Sequence, residues 1–268
     1  MLTQPQLQRC LRAAVSSARQ AGTLLLKHAG APRTVETKRS VIDLVTDIDR
    51  AAEQLIHRTL QRAHPDFGFL GEERGNRRPD TATRWIVDPI DGTMNFVHGV
   101  PLFGISIGLQ HQGRIVLGVI HDPSRRELYT AIAGGGAFVN GRRLRVARTK
   151  RLAQSLLSTG FSSTFRKNPQ PYLNWFRALE SRSHAVRRIG TTVLSLAYVA
   201  AGRLEGFYER DLWPWDVAAG LLMVQEAGGR VSDLAGRPPV VGSGQLQMVA
   251  TNGRIHQELL TTLRRFGA

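Results

Sequence analysis

The chain is short of cysteine, of acids and of long apolar runs, and each shortage excludes something. Cys10 is its only cysteine, so an intrachain disulfide and a thiolate metal centre of the zinc-finger kind are ruled out, and a reducing compartment fits. No stretch of about 18 apolar residues offers a membrane span. The first residues also lack a short apolar run ending at a small-residue cleavage site. A soluble, cytoplasmic protein without a membrane partner is the expectation. Asp and Glu number 21 against 36 Lys and Arg, a formal charge of +15 with a pI near 11.3. Such a balance can serve nucleic-acid binding, attract anionic substrates or follow from an arginine-rich composition. No basic run reaches the roughly 5–8 residues of a binding tract. Arg142, Arg143 and Arg145 therefore read as the solvent face of a strand.

What is present is core-forming material: 42% of the 268 residues are hydrophobic, enough for one large domain or two modest ones. Leu7, Leu11, Ala14, Ala18, Ala21 and Leu25 alternate spacings of four and three, one face of an amphipathic helix. Thr46 and Asp49 form a capping box ahead of Ala52, Leu55, Ile56 and Leu60, which predicts a second helix ending before Pro65 and carrying Asp43, Asp47 and Asp49 at its start. From Phe103 to Leu144 the period becomes two. With turns at His111-Gln112-Gly113 and Asn140-Gly141, that segment reads as an antiparallel meander. Beyond about residue 150 strands and helices alternate: a strand near Leu156, helices near Tyr172 and Val193, a strand over 204–208 and a helix from Trp215. Residues 1–145 are thus expected to form an α+β half and 146–268 an α/β half, packed as one unit. Gly134-Gly135-Gly136 lacks the Lys-Ser/Thr and the helix of a P-loop and reads as a tight turn.

Acids stand at the mouths of these elements. The apolar run Trp85-Ile86-Val87 ends abruptly in Asp88-Pro89-Ile90-Asp91-Gly92-Thr93, a strand delivering two carboxylates to its tip. Two such acids can converge on one cation, while the Gly92 and Thr93 amides at a helix start suit an anion. A polar turn with a capping Asp would look the same. Glu72 and Glu73 follow the apolar Phe67 to Leu70, and Asp216 opens an apolar helix at the positive end of its dipole; a solvated loop and a helix cap are the plain readings of these two. Taken together, Asp49, Glu72, Asp88, Asp91 and Asp216 repel one another unless a hard cation joins them.

Asp49, Gly71-Glu72-Glu73, Trp85 through Thr93, and Trp215-Asp216-Val217-Ala218-Ala219-Gly220 occur in an order that resembles the inositol monophosphatase family, and the likeness runs on through Gln225-Glu226-Ala227-Gly228-Gly229. The resemblance implies a layered αβαβα sandwich, the sugar phosphatase fold. It implies Mg2+ held by Glu72, Asp88 and the Ile90 carbonyl, and by Asp88, Asp91 and Asp216. It implies catalysis by Asp49, Glu72 and Thr93, and substrate contacts from Asp91, Gly92, Thr93, Gly190, Thr191, Thr192 and Glu209. Glu209 precedes Asp216 by the family's spacing, whereas the Thr192 position often carries a smaller residue. The implied reaction is magnesium-dependent, lithium-sensitive hydrolysis of a small phosphorylated polyol, inositol 1-phosphate first. A related branch that acts on 3'-phosphoadenosine 5'-phosphate tends to read Asp-Pro-Leu-Asp-Gly-Thr-Lys-Glu-Phe, where this chain has Met94-Asn95-Phe96 after Thr93. Fructose 1,6-bisphosphate, histidinol phosphate and NADP are substrates of other relatives. The partner expectations also include a homodimer and association with RNA or a transcription complex, as for some bacterial relatives.

Overall fold

In the computed structural model, which describes residues 2–30, 35–37, 44–242 and 244–266, the N-terminal spacing becomes helix α1, Gln4–His28. Thr3 and Gln6 cap it reciprocally. Leu7, Ala14, Ala18, Ala21 and Leu25 turn inward, while Arg9, Arg12, Arg19 and Lys27 face water. Strands β1 (Val35–Thr37) and β2 (Leu44–Thr46) pair antiparallel and lead into α2, Asp47–Ala63. Its expected capping box is present: the Thr46 hydroxyl accepts from the Ile48 and Asp49 amides, and Asp49 accepts from the Thr46 amide at 2.8 Å. Asp43 lies outside the described residues.

Strands β3 (Gly68–Gly71), β4 (Gly75–Arg77) and β5 (Thr83–Asp91) are followed by the short helix α3 (Thr93–Val97). The meander then runs through β6 (Gly104–His111), β7 (Arg114–Asp122), β8 (Glu127–Ile132), β9 (Gly136–Val139) and β10 (Arg142–Arg143). They build one sheet in the order β10-β9-β8-β7-β6-β5-β3-β4, antiparallel throughout except between β3 and β5. Gln112 and Gly113 have φ of 50° and 77°, and Asn140 and Gly141 of 47° and 80°, the left-handed pairs that fit a hairpin turn to the twist of its strands. The triple-glycine run is the β8–β9 turn. Its Gly134 and Gly136 amides donate to the Glu226 carboxylate at 2.7 and 2.8 Å, so the anion it cradles is the protein's own.

The second half supplies β11 (Leu156–Thr159), α4 (Gln170–Glu180), β12 (Ala185–Arg187), α5 (Thr192–Ala200) and β13 (Gly206–Leu212). Helix α6 (Pro214–Glu226), β14 (Arg230–Ser232), β15 (Leu246–Thr251) and α7 (His256–Phe266) complete it. Its sheet runs β12-β11-β13-β15-β14, with β11 parallel to both neighbours and β15 antiparallel to its own. The strand expected over 204–208 starts later and extends to Leu212, because its end pairs with β15 across an irregularity between Glu209 and Leu212.

Alternation along the strands sets the layers. Trp85, Val87, Ile107 and Val119 point from the large sheet to α1 and α2, while Ile86, Ile120 and Tyr129 point the other way, into a core shared with α5 and α6. From the smaller sheet Phe207, Met248 and Ala250 enter that same central core, and Leu157, Tyr208 and Val249 pack outward on α4 and α7. The result is the expected αβαβα sandwich. Each fully buried Leu, Ile or Phe contributes roughly 1.5–3 kcal/mol, so the α5 and α6 side chains hold the two sheets together more firmly than any ion pair on the surface. No helix among the described residues is long and apolar enough to cross a membrane.

Candidate active site

The acids at the tip of β5 are held by backbone. Asp88 is buried, and its Oδ1 accepts from the Ile90 amide at 3.0 Å. Regular pairing with β6 breaks between Asp88 and Asp91. Gly92 then turns the chain at φ 90°, where an added Cβ would lie 2.9 Å from the Leu102 carbonyl oxygen, so only glycine fits. Thr93 places its hydroxyl 3.1 Å from Asp49 Oδ1 and 3.0 Å from the Ile90 carbonyl oxygen. Asp49, fully buried, divides its work: Oδ2 caps α2 and Oδ1 receives Thr93. The two readings of Asp49 are compatible.

The second half brings its groups across a long sequence gap. Val193 at the first turn of α5 donates its amide to Asp91 Oδ2 at 2.7 Å, and the Thr191 hydroxyl donates to the same oxygen, so an acid of one half sits on the dipole of a helix of the other. Helix α6 lies flat on the large sheet because Gly108 and Gly118 leave room for it. A Cβ there would come within 2.8 Å of the Ala218 side chain and 2.7 Å of the Ala219 carbonyl oxygen. Ser106 adds a bond to the Trp215 carbonyl at 3.1 Å. That placement delivers Asp216, whose Oδ2 caps α6 by accepting from the Trp213 amide at 2.7 Å. Glu209 accepts from the Thr192 hydroxyl at 3.0 Å.

A cavity of about 250 Å³ gathers Glu72, Asp91, Gly190, Thr191, Thr192, Glu209 and Asp216 on its walls. Asp49, Asp88, Ile90, Gly92 and Thr93 lie outside that lining, linked to it through Thr93 and the β5 backbone. Loss of water pushes the Asp91 carboxyl up to about 6, against the pull of its Thr191 and Val193 bonds. The same loss, aided by the Asp91 charge, pushes Glu209 up to about 8. Asp216 is raised well above the carboxylate range, first by lost hydration and then by the charges of Asp91, Glu72 and Glu209. These acids therefore feel one another across the two halves. As the side chains stand, no three acids or imidazoles among the described residues close on one point to cage an ion. Asp88, Asp91 and Asp216 each give one oxygen to a backbone amide instead. The donor set still fits a hard divalent cation, being all oxygen and mutually repulsive.

Gly160, Ser162, Arg188 and Asp211 also line the cavity and were not singled out from sequence. A Cβ on Gly160 would stand 2.2 Å from Glu209 Oε1, so that glycine makes room for the carboxylate. Asp211 holds φ at 61° and accepts from the Thr164 hydroxyl at 2.8 Å and from the Tyr172 hydroxyl. Its place between Glu209 and Asp216 was the one visible signal. Asn95 and Phe96, by contrast, do not reach the cavity lining. Asn95 donates to the Leu102 and Ile189 carbonyls at 2.7 and 2.9 Å, tying the halves together, and Phe96 packs on Phe103 with ring centroids 5.0 Å apart.

Fold and cavity define a class, the layered α/β sandwiches that gather carboxylates where two sheets meet. Residues 6–267 match the inositol monophosphatase family, and the chain belongs to that family of phosphatases. It is 44% identical over 257 residues to an inositol-1-monophosphatase of Mesorhizobium japonicum, covering 95% of this chain and 96% of that one. It is 43% identical over 266 residues to the Nus factor SuhB of Pseudomonas aeruginosa, covering 96% and 97%. The crystal structure of the extragenic suppressor protein suhB from Bartonella henselae superposes with a TM-score of 0.88 at 41% identity, over 96% of this chain and 98% of that one.

Proposed function

We propose that the protein hydrolyses inositol 1-phosphate to inositol and phosphate in a magnesium-dependent reaction, in the cytoplasm. The observation that carries this reading is the meeting of Glu72, Asp91, Glu209 and Asp216 from both halves in one cavity, where lost hydration holds the Asp91, Glu209 and Asp216 carboxyls above their usual range. Glu72, Asp88, Asp91, Asp216 and the Ile90 carbonyl would hold Mg2+, which when bound supplies positive charge to activate water and to steady the leaving oxygen. The rest falls to the chain. Thr93 has one hydroxyl proton for two acceptors, Asp49 Oδ1 and the Ile90 carbonyl, so its oxygen can accept from the attacking water and pass a proton on to Asp49. Water adds to phosphorus as the bond to the inositol oxygen breaks in line, and that oxygen ends protonated as the alcohol. The Gly92 and Thr93 amides receive the phosphate, and Asp91, Glu209 and the Gly190-Thr191-Thr192 turn orient the polyol hydroxyls. Thr192 already engages one Glu209 oxygen, which narrows what that carboxylate can accept from substrate. Residues 1–145 then carry most of the ion ligands and 146–268 carry Asp216 and the alcohol contacts.

The test is phosphate release from a panel of phosphomonoesters with Mg2+, compared by kcat/KM. Inositol 1-phosphate should lead, chelation should abolish turnover and lithium should inhibit. A higher kcat/KM for 3'-phosphoadenosine 5'-phosphate, fructose 1,6-bisphosphate, histidinol phosphate or NADP would reassign the substrate, and full turnover with excess chelator would end the magnesium reading. A second role, association with an RNA-containing transcription complex, is favoured by the exposed Arg9, Arg12, Arg19 and Lys27 of α1, a helix of 25 residues without an acid. Contacts of that kind make RNA affinity fall steeply with salt, and salt-insensitive or absent binding would exclude it. A homodimer is expected and is checked by sedimentation.

A further inference from the structure

Glu53 is a fully buried carboxylate that the proposed reaction does not use. It lies one helical turn beyond Asp49 on the buried face of α2, so the two acids point the same way. Where Asp49 reaches Thr93, Glu53 reaches the loop that carries Glu72. Its Oε2 accepts from the Glu73 amide at 2.8 Å. The same oxygen would stand 2.3 Å from a Cβ added at Gly71, nearer than any real contact allows. The carboxylate therefore abuts the residue before Glu72 and hydrogen-bonds the residue after it. Among the described residues its other oxygen has no hydrogen-bond partner, and Arg74 Nε stands 3.8 Å from it. Burying a carboxylate with one oxygen left in this state is costly, and a core position of that size would be filled more stably by Leu or Met. The need for a side-chain acceptor at the Glu73 amide accounts for its presence.

We infer that Glu53 is a positioning residue for Glu72: it fixes the backbone on both sides of Glu72, so that one face of α2 sets both the Asp49–Thr93 pair and the Glu72 side chain. This rests on the reading of Glu72 as an ion ligand and catalytic group. It also gives a reason for the glycine of Gly71-Glu72-Glu73, where a Cβ would meet the Glu53 carboxylate at 2.3 Å and the Phe69 ring at 2.6 Å. Supports of this kind typically change metal affinity or activity by about 10- to 100-fold when removed.

The experiment compares Glu53→Gln, Glu53→Asp, Glu53→Ala and Gly71→Ala, with Glu72→Gln as the reference, in full-length protein. The readouts are Mg2+ binding by calorimetry, kcat and KM for inositol 1-phosphate, and the thermal midpoint. Gln keeps the length and one acceptor for the Glu73 amide, so it should stay within about threefold of wild type. Asp keeps the charge but falls short by one methylene. It should weaken Mg2+ binding and lower kcat by about 10- to 100-fold with KM little changed, as should Ala and Gly71→Ala. A purely structural role would lower the midpoint in all four without separating Gln from Asp. If Glu53→Ala does not fold, Glu53→Asp and Gly71→Ala still decide. Normal Mg2+ affinity and kcat in folded Glu53→Asp and Gly71→Ala would overturn the inference, provided Glu72→Gln loses both. If Glu72→Gln keeps both, the reading of the site itself fails.

Discussion

Two sets of acids in this chain sit in opposite surroundings. On the same face of the large sheet as Tyr129, Glu127 receives two bonds from the Arg203 guanidinium, one of them 2.7 Å long, and a third from the Tyr129 hydroxyl at 2.6 Å. Arg203 holds its carboxyl below the usual range. In the cavity, Asp91, Glu209 and Asp216 are pushed the other way by lost hydration, and the Asp91 charge raises the other two further. A chain with 36 Lys and Arg has ample cations to pair every acid. Crowding acids in one place is costly to the fold, and it is the arrangement expected where further positive charge arrives as a ligand or ion.

The contrast breaks most visibly at Asp216. Asp216→Asn keeps a side-chain acceptor for the Trp213 amide, because Asn caps helices about as well as Asp. It removes the charge, so kcat should fall by at least about 100-fold and the Mg2+ requirement rise, while the ion-free thermal midpoint holds or rises. Near-normal turnover would reduce Asp216 to a cap. Next in size, Gly160→Ala forces the Glu209 carboxylate aside, and KM for inositol 1-phosphate should rise about tenfold with a smaller change in kcat; an unchanged KM would remove Glu209 from the substrate site.

On the paired side, Arg203→Met strands Glu127 and should cost about 1–2 kcal/mol in denaturant unfolding without touching kcat. Loss of activity in that variant would mean the two acid sets are coupled. The smallest effect is in pH. Glu127 has a folded value below its unfolded 4.5, so the pairing contributes stability above pH 4.5 that is lost as pH falls through the folded value. Arg203→Met should flatten the acid limb of the stability profile below the unfolded value of 4.5, and an unaltered acid limb would show that the pair contributes nothing there.

Much of this was legible beforehand wherever the signal was local. The α1 spacing, the Thr46–Asp49 box, the meander and its Asn140-Gly141 turn depend on residues a few positions apart, whose geometry is set by backbone sterics and hydrogen bonding. The β13 strand was misplaced because its extension to Leu212 depends on pairing with β15, whose Leu246 lies far along the chain. Gly160, Arg188 and Asp211 carried no motif, and their place on the cavity wall follows from how two sheets stack. Asn95 and Phe96 stand beside the motif, and their contacts, one tying two loops and the other filling the core, could not be read from it.

By itself the sequence determined most of the elements and the order of acids that resembles the phosphatase family, since each of these is written in periodicity or in short motifs. Tertiary structure alone decided that Asp91 would cap α5 of the other half, that Gly108 and Gly118 would let α6 carry Asp216 up to it, and that Glu53 would close around Gly71. Those outcomes depend on close packing between surfaces distant in the chain, where a single missing Cβ sets how near two backbones can come, and no local pattern records that distance.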